Sequence, residues 1–364
     1  MSQPSYQYPH VEIDLGKLKE NLAALQERCQ ASSIEISGVV KGFHALPAAA
    51  KVYEEVGVSS IASSRMDQLR GLKEAGIQTP LMLIRIPMPS EVEDVVTWSD
   101  ISLNSECSVL RLLDEAARNK GRTHKVILMV DLGDLREGFW DWDELVAAAL
   151  EVEHDLPNLE LLGVGTNLGC YGSIQATPEK MHDLVAAAER VEKAIGRKLE
   201  VISGGASSSL HMVLDGTMPP RINHLRVGEG ILLGSIWGCN MDFMHKDIMV
   251  FRAQVIESKV KPSHPVGELS VDAFGQTRTY VDRGHRLRCL LAMGRVDYGE
   301  SDDLIPREPG IKVLGASSDH TILDVEGATR RLKTGDVLEF DLCYATMVYL
   351  TGSKSVHIYY KNET

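Results

Sequence analysis

The sequence lacks the features of a membrane protein, a secreted protein or a nucleic-acid-binding protein. No apolar run reaches the roughly 18 residues that a membrane span needs. The amino-terminal stretch MSQPSYQYPHVEID has no basic start followed by an apolar segment, so we expect no signal peptide. The net charge of -13, from 51 acidic residues against 38 lysines and arginines, would repel a phosphate backbone. We therefore expect a cytoplasmic protein that binds neither membranes nor nucleic acids.

Paired cysteines are absent as well. No C-x-x-C spacing of a zinc site or redox pair occurs, and no local motif indicates a catalytic thiol. We expect buried thiols in a reducing compartment and no bound metal. The cysteines are Cys29, Cys107, Cys170, Cys239, Cys289 and Cys343.

What is present is a regular alternation of apolar runs and helical stretches. The 364 residues fit one large domain of about 240 residues and a smaller partner. Short β-branched runs alternate with amphipathic segments that end at glycine, a pattern typical of parallel strands joined by crossover helices. Eight such runs predict an α/β fold, a (β/α)8 TIM barrel. The runs are residues 36–41, 59–65, 80–86, 100–105, 125–133, 159–169, 199–205 and 224–234.

The pattern changes after about residue 240. Period-two runs such as KDIMVFRAQVIESKV and GDVLEFDLCYATMVYL replace the helical spacing, which predicts a C-terminal all-β domain over residues 241–364. The barrel domain then takes residues 1–240. The opening strand, residues 10–15, precedes the barrel and is expected to pair with the β domain.

Candidate catalytic residues lie where the barrel strands end, because active sites of this fold form at the carboxyl ends of the strands. Lys41 ends the apolar run SGVV, and desolvation there would lower the pKa of its amine towards nucleophilic use. From position alone, a solvated or salt-bridged strand end remains the alternative. The polar residues at strand ends are Lys41, Arg65, Arg85, Asn104, the 131–136 turn, Thr166, Asn167, residues 203–207 and Arg226.

A phosphate site is predicted after the seventh and eighth strands, its recurring position in this fold. The turn Ser203-Gly204-Gly205-Ala206-Ser207 opens a helix with small residues whose N–H groups can cradle a phosphate. Gly228 and Gly230 allow a similarly close approach. A merely tight turn is the alternative for each glycine.

Five segments together resemble the alanine racemase family of type III pyridoxal-phosphate enzymes, and most closely its ornithine racemase branch. They are VVKGFH (39–44), MVDLGDLREGF (129–139), SGGASSS (203–209), LRVGEG (225–230) and GASSDHTILDV (315–325). The resemblance implies that Lys41 carries pyridoxal 5'-phosphate, that Arg136 orients the substrate carboxylate, and that Tyr344 binds the phosphate. It also implies that Arg226 faces the pyridine nitrogen.

Arg226 has a physical reason to lie there, since a neighbouring cation disfavours protonation of the ring nitrogen and so favours proton return over transamination. The eighth strand is one residue longer than the family pattern. Val227 or Glu229 therefore remains an alternative for the residue that faces the ring, and a surface ion pair is the alternative for Arg226.

The sequence departs from the family at the second proton-transfer group. Family members use a tyrosine from the partner subunit's β domain, and here Phe274 stands in the matching stretch SVDAFGQ, where it cannot move a proton. Asp272 shares a strand face with Phe274, and Asp319 and His320 lie in the other loop that reaches the family site. Asp272 and His320 are equally favoured, and a structural turn or surface role remains open for each.

The phosphate site departs too. Ala45 stands where alanine racemases place a tyrosine, preceded by His44, and a cross-strand aromatic pair is the alternative for Tyr344.

The resemblance predicts an amino-acid racemase that acts on free ornithine or another basic amino acid as a homodimer with shared active sites. A non-catalytic pyridoxal-phosphate-binding protein and an alanine or broad-specificity racemase are the alternatives. The sequence contains neither the motif of the related decarboxylases nor that of the related aldolases.

Overall fold

The chain forms two compact units in the computed structural model, which describes residues 6–236, 241–272, 274–277 and 279–362. The barrel unit is Lys17–Lys246, and the β unit is Met1–Gly16 with Asp247–Thr364. The division lies after residue 246, six residues beyond the boundary at 240 that the sequence predicts.

Eight parallel strands close into a barrel, which confirms the predicted (β/α)8 fold. The first strand of the chain, β1 (His10–Asp14), belongs to the β unit. Strand β9 pairs in parallel with β2 and so closes the cylinder. The barrel strands are β2 (Glu35–Val39), β3 (Ser60–Ser63), β4 (Leu81–Leu83), β5 (Ile101–Asn104), β6 (His124–Val130), β7 (Leu159–Thr166), β8 (Val201–Ser203) and β9 (His224–Val227).

Helices connect the barrel strands. Helix α7 illustrates how the sequence sets their ends: the Thr177 hydroxyl accepts the Lys180 N–H over 3.3 Å before the first turn. No helix in the described part of the chain is both long and apolar enough to cross a bilayer. The helices are α1 (Leu15–Ala31), α2 (Pro47–Val56), α3 (Met66–Glu74), α4 (Val92–Trp98), α5 (Cys107–Asn119), α6 (Trp142–His154), α7 (Pro178–Ile195), α8 (Leu210–Leu214) and α9 (Glu229–Leu233).

The barrel interior is apolar except for a polar group that includes His224. Its Nε2 lies 2.7 Å from Ser37 Oγ, and its Nδ1 lies 2.8 Å from Ser203 Oγ. Burial lowers the pKa of His224 to about 3, so the ring is neutral. Because side chains alternate along a strand, Arg226 shares the inner face with His224, and Val227 faces the helices. The apolar cluster comprises Val39, Ala62, Met82, Ile101, Leu103, Ile127, Met129 and Leu162.

The eighth predicted run, residues 224–234, is only half strand, which corrects the prediction. Pairing with β2 ends at Gly38 opposite Val227, and residues 229–233 then form α9. The turn between them requires glycine, since a Cβ on Gly228 would lie 2.9 Å from Val39 Cβ. The chain leaves the sheet here because no strand continues beside it.

The β unit contains an antiparallel sheet in the order β12-β15-β10-β11-β14-β13. Strand β1 adds to it, antiparallel to β10 and parallel to β16. Two short helices, α10 (Arg295–Tyr298) and α11 (Tyr344–Gly352), accompany the sheet. The strands are β10 (Met249–Pro262), β11 (His285–Leu291), β12 (Ile305–Pro306), β13 (Lys312–Ala316), β14 (Thr321–Asp324), β15 (Val337–Asp341) and β16 (His357–Lys361).

Helix α11 lies in the segment GDVLEFDLCYATMVYL, whose period-two pattern predicted a strand. Its start is capped, because the Thr346 hydroxyl accepts the N–H of Cys343 over 3.0 Å. Met347 and Leu350 are buried one turn apart on its inner face. Tyr344, the first residue of the helix, is therefore not one member of a cross-strand pair, and that alternative was wrong.

Candidate active site

Lys41 lies just beyond the carboxyl end of β2, at the mouth of the barrel. It begins a 3-10 turn, Lys41–Phe43, after which His44 and Ala45 take left-handed φ values of 52° and 51°. The Ala45 N–H donates to the Val40 carbonyl over 3.0 Å and tightens this turn. A short, locally hydrogen-bonded segment thus holds the lysine in place.

The surroundings of Lys41 favour its neutral amine. Burial lowers the pKa of this amine below its usual range, and the positive charges of Arg136 and Arg226 act in the same direction. The acidic groups of Cys170 and Glu137 oppose the shift without reversing it. A lowered pKa increases the fraction of neutral amine, which is the form that acts as a nucleophile and a base.

Arg226 extends into the barrel from β9 and is only 3% exposed. Its Nη1 donates to Ser203 Oγ, and its Nη2 donates to the Thr166 carbonyl over 2.7 Å and to Asn167 Oδ1 over 3.3 Å. All three acceptors are uncharged. Burial lowers the pKa of the guanidinium to about 10, and it remains a cation at neutral pH.

Of the three strand-eight candidates for facing a bound ring, Arg226 alone points into the barrel. Val227 is buried on the opposite face of β9. Glu229 is solvent-exposed on the first turn of α9.

Arg136 and Glu137 form an ion pair in the loop after β6. The Nε and Nη2 of Arg136 donate to the two carboxylate oxygens of Glu137, with 2.6 Å between Nη2 and Oε1. Asn167 Nδ2 donates to the same Oε1 over 2.9 Å. Glu137 and Asn167 therefore connect Arg136 with Arg226. Glu137 is not among the residues predicted from the sequence, where its only signal was its place beside Arg136.

The predicted phosphate segments meet at Ser207. Its Oγ accepts the N–H groups of Gly228 over 3.3 Å and Gly230 over 3.1 Å, which joins the turn after β8 to the end of β9. Gly205 has a φ of 107°, a conformation that glycine adopts readily. The Gly204 N–H donates to the His224 carbonyl over 2.9 Å, so Gly204 belongs to the strand pairing rather than to a free cradle.

Ser203 supports Arg226 and His224 through its hydroxyl, as described above. Of three further strand-end residues, two have side-chain partners and the third lies at a helix start. Arg85 forms an ion pair with Glu91 over 2.7 Å, Asn104 is buried and donates to Ser102, and Arg65 immediately precedes α3.

The candidates in the β unit fall in two turns. Asp272 Oδ1 accepts the N–H groups of Phe274 and Gln276, each over 2.9 Å, and so stabilises its own turn. In the other turn, His320 Nδ1 lies 3.0 Å from Asp319 Oδ1, and both side chains are exposed. The imidazole holds the pKa of the Asp319 carboxyl below its usual value. The second turn thus contains an imidazole paired with a carboxylate.

The Phe274 ring is covered by a cation. The guanidinium carbon of Arg295 lies 4.0 Å from the ring centroid, a cation–π contact within the β unit.

Comparisons with known proteins agree with the fold. The family model of the alanine racemase N-terminal domain matches residues 13–235. Ornithine racemase of Acetoanaerobium sticklandii is 39% identical over 96% of this chain and 98% of its own length. Lysine racemase of Thermotoga maritima is 37% identical over 97% of this chain and 99% of its own.

Two solved structures share the fold. Alanine racemase from the D-cycloserine producer Streptomyces lavendulae superposes with a TM-score of 0.74 at 19% identity and covers 98% of each chain. D-threonine aldolase from Filomicrobium marinum superposes with a TM-score of 0.72 at 17% identity, over 95% of this chain and 89% of its own. At such identities the likeness concerns the fold alone.

Proposed function

This chain belongs to the alanine racemase family and is an amino-acid racemase, an isomerase, and we propose that it works with pyridoxal 5'-phosphate bound to Lys41. The observation that carries the cofactor proposal is the half-buried Lys41, whose amine has a lowered pKa, at the mouth of a barrel that also buries Arg226.

Three features of the barrel unit support this cofactor. The Lys41 amine can bond the aldehyde carbon of the cofactor. Ser207, together with the backbone amides of Gly228 and Gly230, lies where this fold binds a phosphate. Arg226 is suited to face the pyridine nitrogen. Pyridoxal phosphate supplies an electron sink that acidifies the Cα–H of a bound amino acid. Arg226, as a cation, disfavours protonation of the ring nitrogen and so restrains that sink.

Proton transfer at Cα is the task of two groups of the protein. Lys41 takes or returns the proton on one face, because burial and the neighbouring arginines lower the pKa of its amine and so favour the neutral base. For the opposite face we propose His320, oriented by Asp319, over Asp272, whose Oδ1 already serves its own turn. We further propose that Tyr344 is a phosphate ligand, and that the two turns complete the site of a partner subunit in a homodimer.

The substrate carboxylate is assigned to Arg136. Glu137 engages the Nε and Nη2 of that guanidinium, and a guanidinium has five N–H donors. The Nη1 of Arg136 is the donor that we propose for the substrate.

A basic amino acid, ornithine or lysine, is the proposed substrate class. The two relatives similar over nearly the full length are named as ornithine and lysine racemases. Glu229 supports the same class from the structure, since this exposed residue begins α9 just after β9 and its carboxyl feels the charge of Lys41. Partial burial raises the pKa of this carboxyl, while the positive charge of Lys41 lowers it. The side-chain ammonium of such a substrate could form an ion pair with the Glu229 carboxylate.

A reducing compartment, the cytoplasm, is the proposed location. Five cysteines lie within the described ranges and are free thiols, and Cys239 lies outside those ranges. Cys29 and Cys289 are buried as expected, whereas Cys170 is exposed, which corrects the expectation for that residue. Free thiols persist where glutathione and thioredoxin keep them reduced.

The test is Lys41→Ala against Lys51→Ala, an exposed lysine of α2. We expect the wild type and Lys51→Ala to show an absorbance band at the edge of the visible that borohydride removes, and to convert L-amino acids to D-products. Lys41→Ala should lose both signals and keep its folded circular dichroism. Retention of both signals in Lys41→Ala would refute the role of this residue.

A screen of the twenty common L-amino acids plus L-ornithine for D-product then identifies the substrate. Loss of optical rotation without CO2 or aldehyde distinguishes a racemase from a decarboxylase or aldolase. A band without any turnover would indicate a non-catalytic binding protein.

A further inference from the structure

We propose that Glu137, acting through the side-chain amide of Asn167, is a positioning residue that holds the Arg226 guanidinium in place at the barrel mouth. This inference rests on the proposed function, in which Arg226 faces the pyridine nitrogen. Two hydrogen bonds carry it: from Asn167 Nδ2 to Glu137 Oε1 over 2.9 Å, and from Arg226 Nη2 to Asn167 Oδ1 over 3.3 Å.

The polarity of these groups allows one orientation of the amide. A carboxylate only accepts hydrogen bonds, a guanidinium only donates them, and an amide has one end of each kind. Reversing the Asn167 amide would set its N–H2 against Arg226 and its oxygen against Glu137. Glu137 therefore determines which end of Asn167 faces Arg226, and so provides the arginine with an acceptor.

Arg226 needs such support because it is a buried cation. Its acceptors, Ser203 Oγ, the Thr166 carbonyl and Asn167 Oδ1, are all uncharged. A buried charge is costly without a compensating partner. The negative charge of Glu137 stabilises the Arg226 cation, and the amide between them, hydrogen-bonded to both, is polarised in the same direction.

Glu137 has a second partner, Arg136, so removing its charge affects two arginines. Asn167 contacts Glu137 and Arg226 but has no bond to Arg136 among the hydrogen bonds of the described residues. A variant at Asn167 consequently isolates the Arg226 branch. If Glu137 and Asn167 act in series, breaking either hydrogen bond has the same effect on Arg226, and breaking both adds little.

The experiment compares Glu137→Gln, Asn167→Ala and the double variant in the holoenzyme. The matched control is Glu144→Gln, an exposed glutamate of α6. The first readout is the partition between racemisation and side transamination, measured as 2-keto acid released per D-product formed. A loosened Arg226 no longer opposes protonation of the ring nitrogen, so both single variants should raise this ratio about tenfold, as a change of one pKa unit would. The double variant should raise it no further.

The second readout does not depend on turnover. Melting temperatures of the full-length chain freed of cofactor should show non-additive shifts, with the double variant close to the more affected single variant. Additive melting shifts overturn the proposal, and so does an unchanged partition in an active Asn167→Ala enzyme. A wild type without cofactor band or D-product would instead refute the proposed function and with it the role of the link, while the melting cycle would still report whether the link exists.

Discussion

Asp134 binds Gly169 across two loops of the barrel: its Oδ1 accepts the Gly169 N–H over 3.0 Å. Its Oδ2 accepts the Tyr171 N–H over 2.9 Å, and the residue is 2% exposed. Burial by itself would raise the pKa of this carboxyl, but the N–H groups of Tyr171, Gly169 and Gly172 outweigh burial and lower it. The loop after β6, with Arg136, is thereby joined to the loop after β7, with Asn167.

Asp134→Ala should separate the two loops. Leaving buried N–H groups without an acceptor costs about 1–3 kcal/mol. The loop after β7, which contains Asn167, would then be less firmly held. We expect racemase kcat to fall at least about tenfold and the 167–177 loop to become a site of proteolytic cleavage. Limited proteolysis and steady-state kinetics measure the two effects. Asp134→Asn, which keeps one acceptor oxygen, should lie between, and wild-type kinetics in Asp134→Ala would contradict this role.

Glu229→Gln should weaken binding of substrates with a side-chain ammonium. Ion pairs of this exposure contribute about 0.2–1 kcal/mol, so KM for L-ornithine and L-lysine should rise about 1.4- to fivefold with little change in kcat. Nδ-acetyl-L-ornithine, which lacks the distal charge, should show equal KM in both enzymes. Glu200→Gln, an exposed glutamate remote in sequence, serves as the control. Equal KM changes for charged and acetylated substrates would assign the effect to something other than this ion pair.

Acid should destabilise the barrel through two buried histidines. Burial lowers the pKa of His224 to about 3 and of His124 to about 4, from an ordinary value near 6.5. Both are neutral when folded and take up protons on unfolding below pH 6.5. Their contribution to the free energy of unfolding is complete above pH 6.5. It declines as the pH falls towards their pKa values in the folded protein, by about 1.4 kcal/mol per pH unit for each histidine.

Urea denaturation at several pH values between 7 and 5 measures this dependence. His224→Gln should reduce the pH slope of the unfolding free energy by about 1.4 kcal/mol per unit, whatever its cost at pH 7. His182→Gln, an exposed histidine of α7, is the control for the substitution. An unchanged slope in His224→Gln would show that this ring does not take up a proton on unfolding.

Co-expression tests the shared-site dimer. A Lys41→Ala chain lacks one proton-transfer group and a His320→Asn chain the other, so each alone should be inactive. Random pairing makes half of the dimers mixed, each with one intact site, and restores up to about a quarter of wild-type activity. If mixed dimers form without activity, and pairing with Asp272 or Asp319 variants also fails, sites are not completed by these turns.

Strand positions were predictable from local pattern, but strand ends were not. The predicted runs 125–133 and 159–169 extend past the observed ends of β6 and β7 at Val130 and Thr166. The apolar pattern of a strand continues into the following loop when the side chains of that loop are also buried. A strand ends where its neighbour stops pairing, and that neighbour lies elsewhere in the sequence.

The sequence by itself determined the eight-stranded barrel and the place of Lys41, since each strand and helix carries its own hydrophobic period and Lys41 directly follows the first barrel strand. Tertiary structure alone decided the partners of Arg226. Ser203, Thr166 and Asn167 come from β8, β7 and the loop after it, and Glu137 from the loop after β6. Closure of the barrel brings these strand ends together, and no local pattern of residues encodes which loop reaches which.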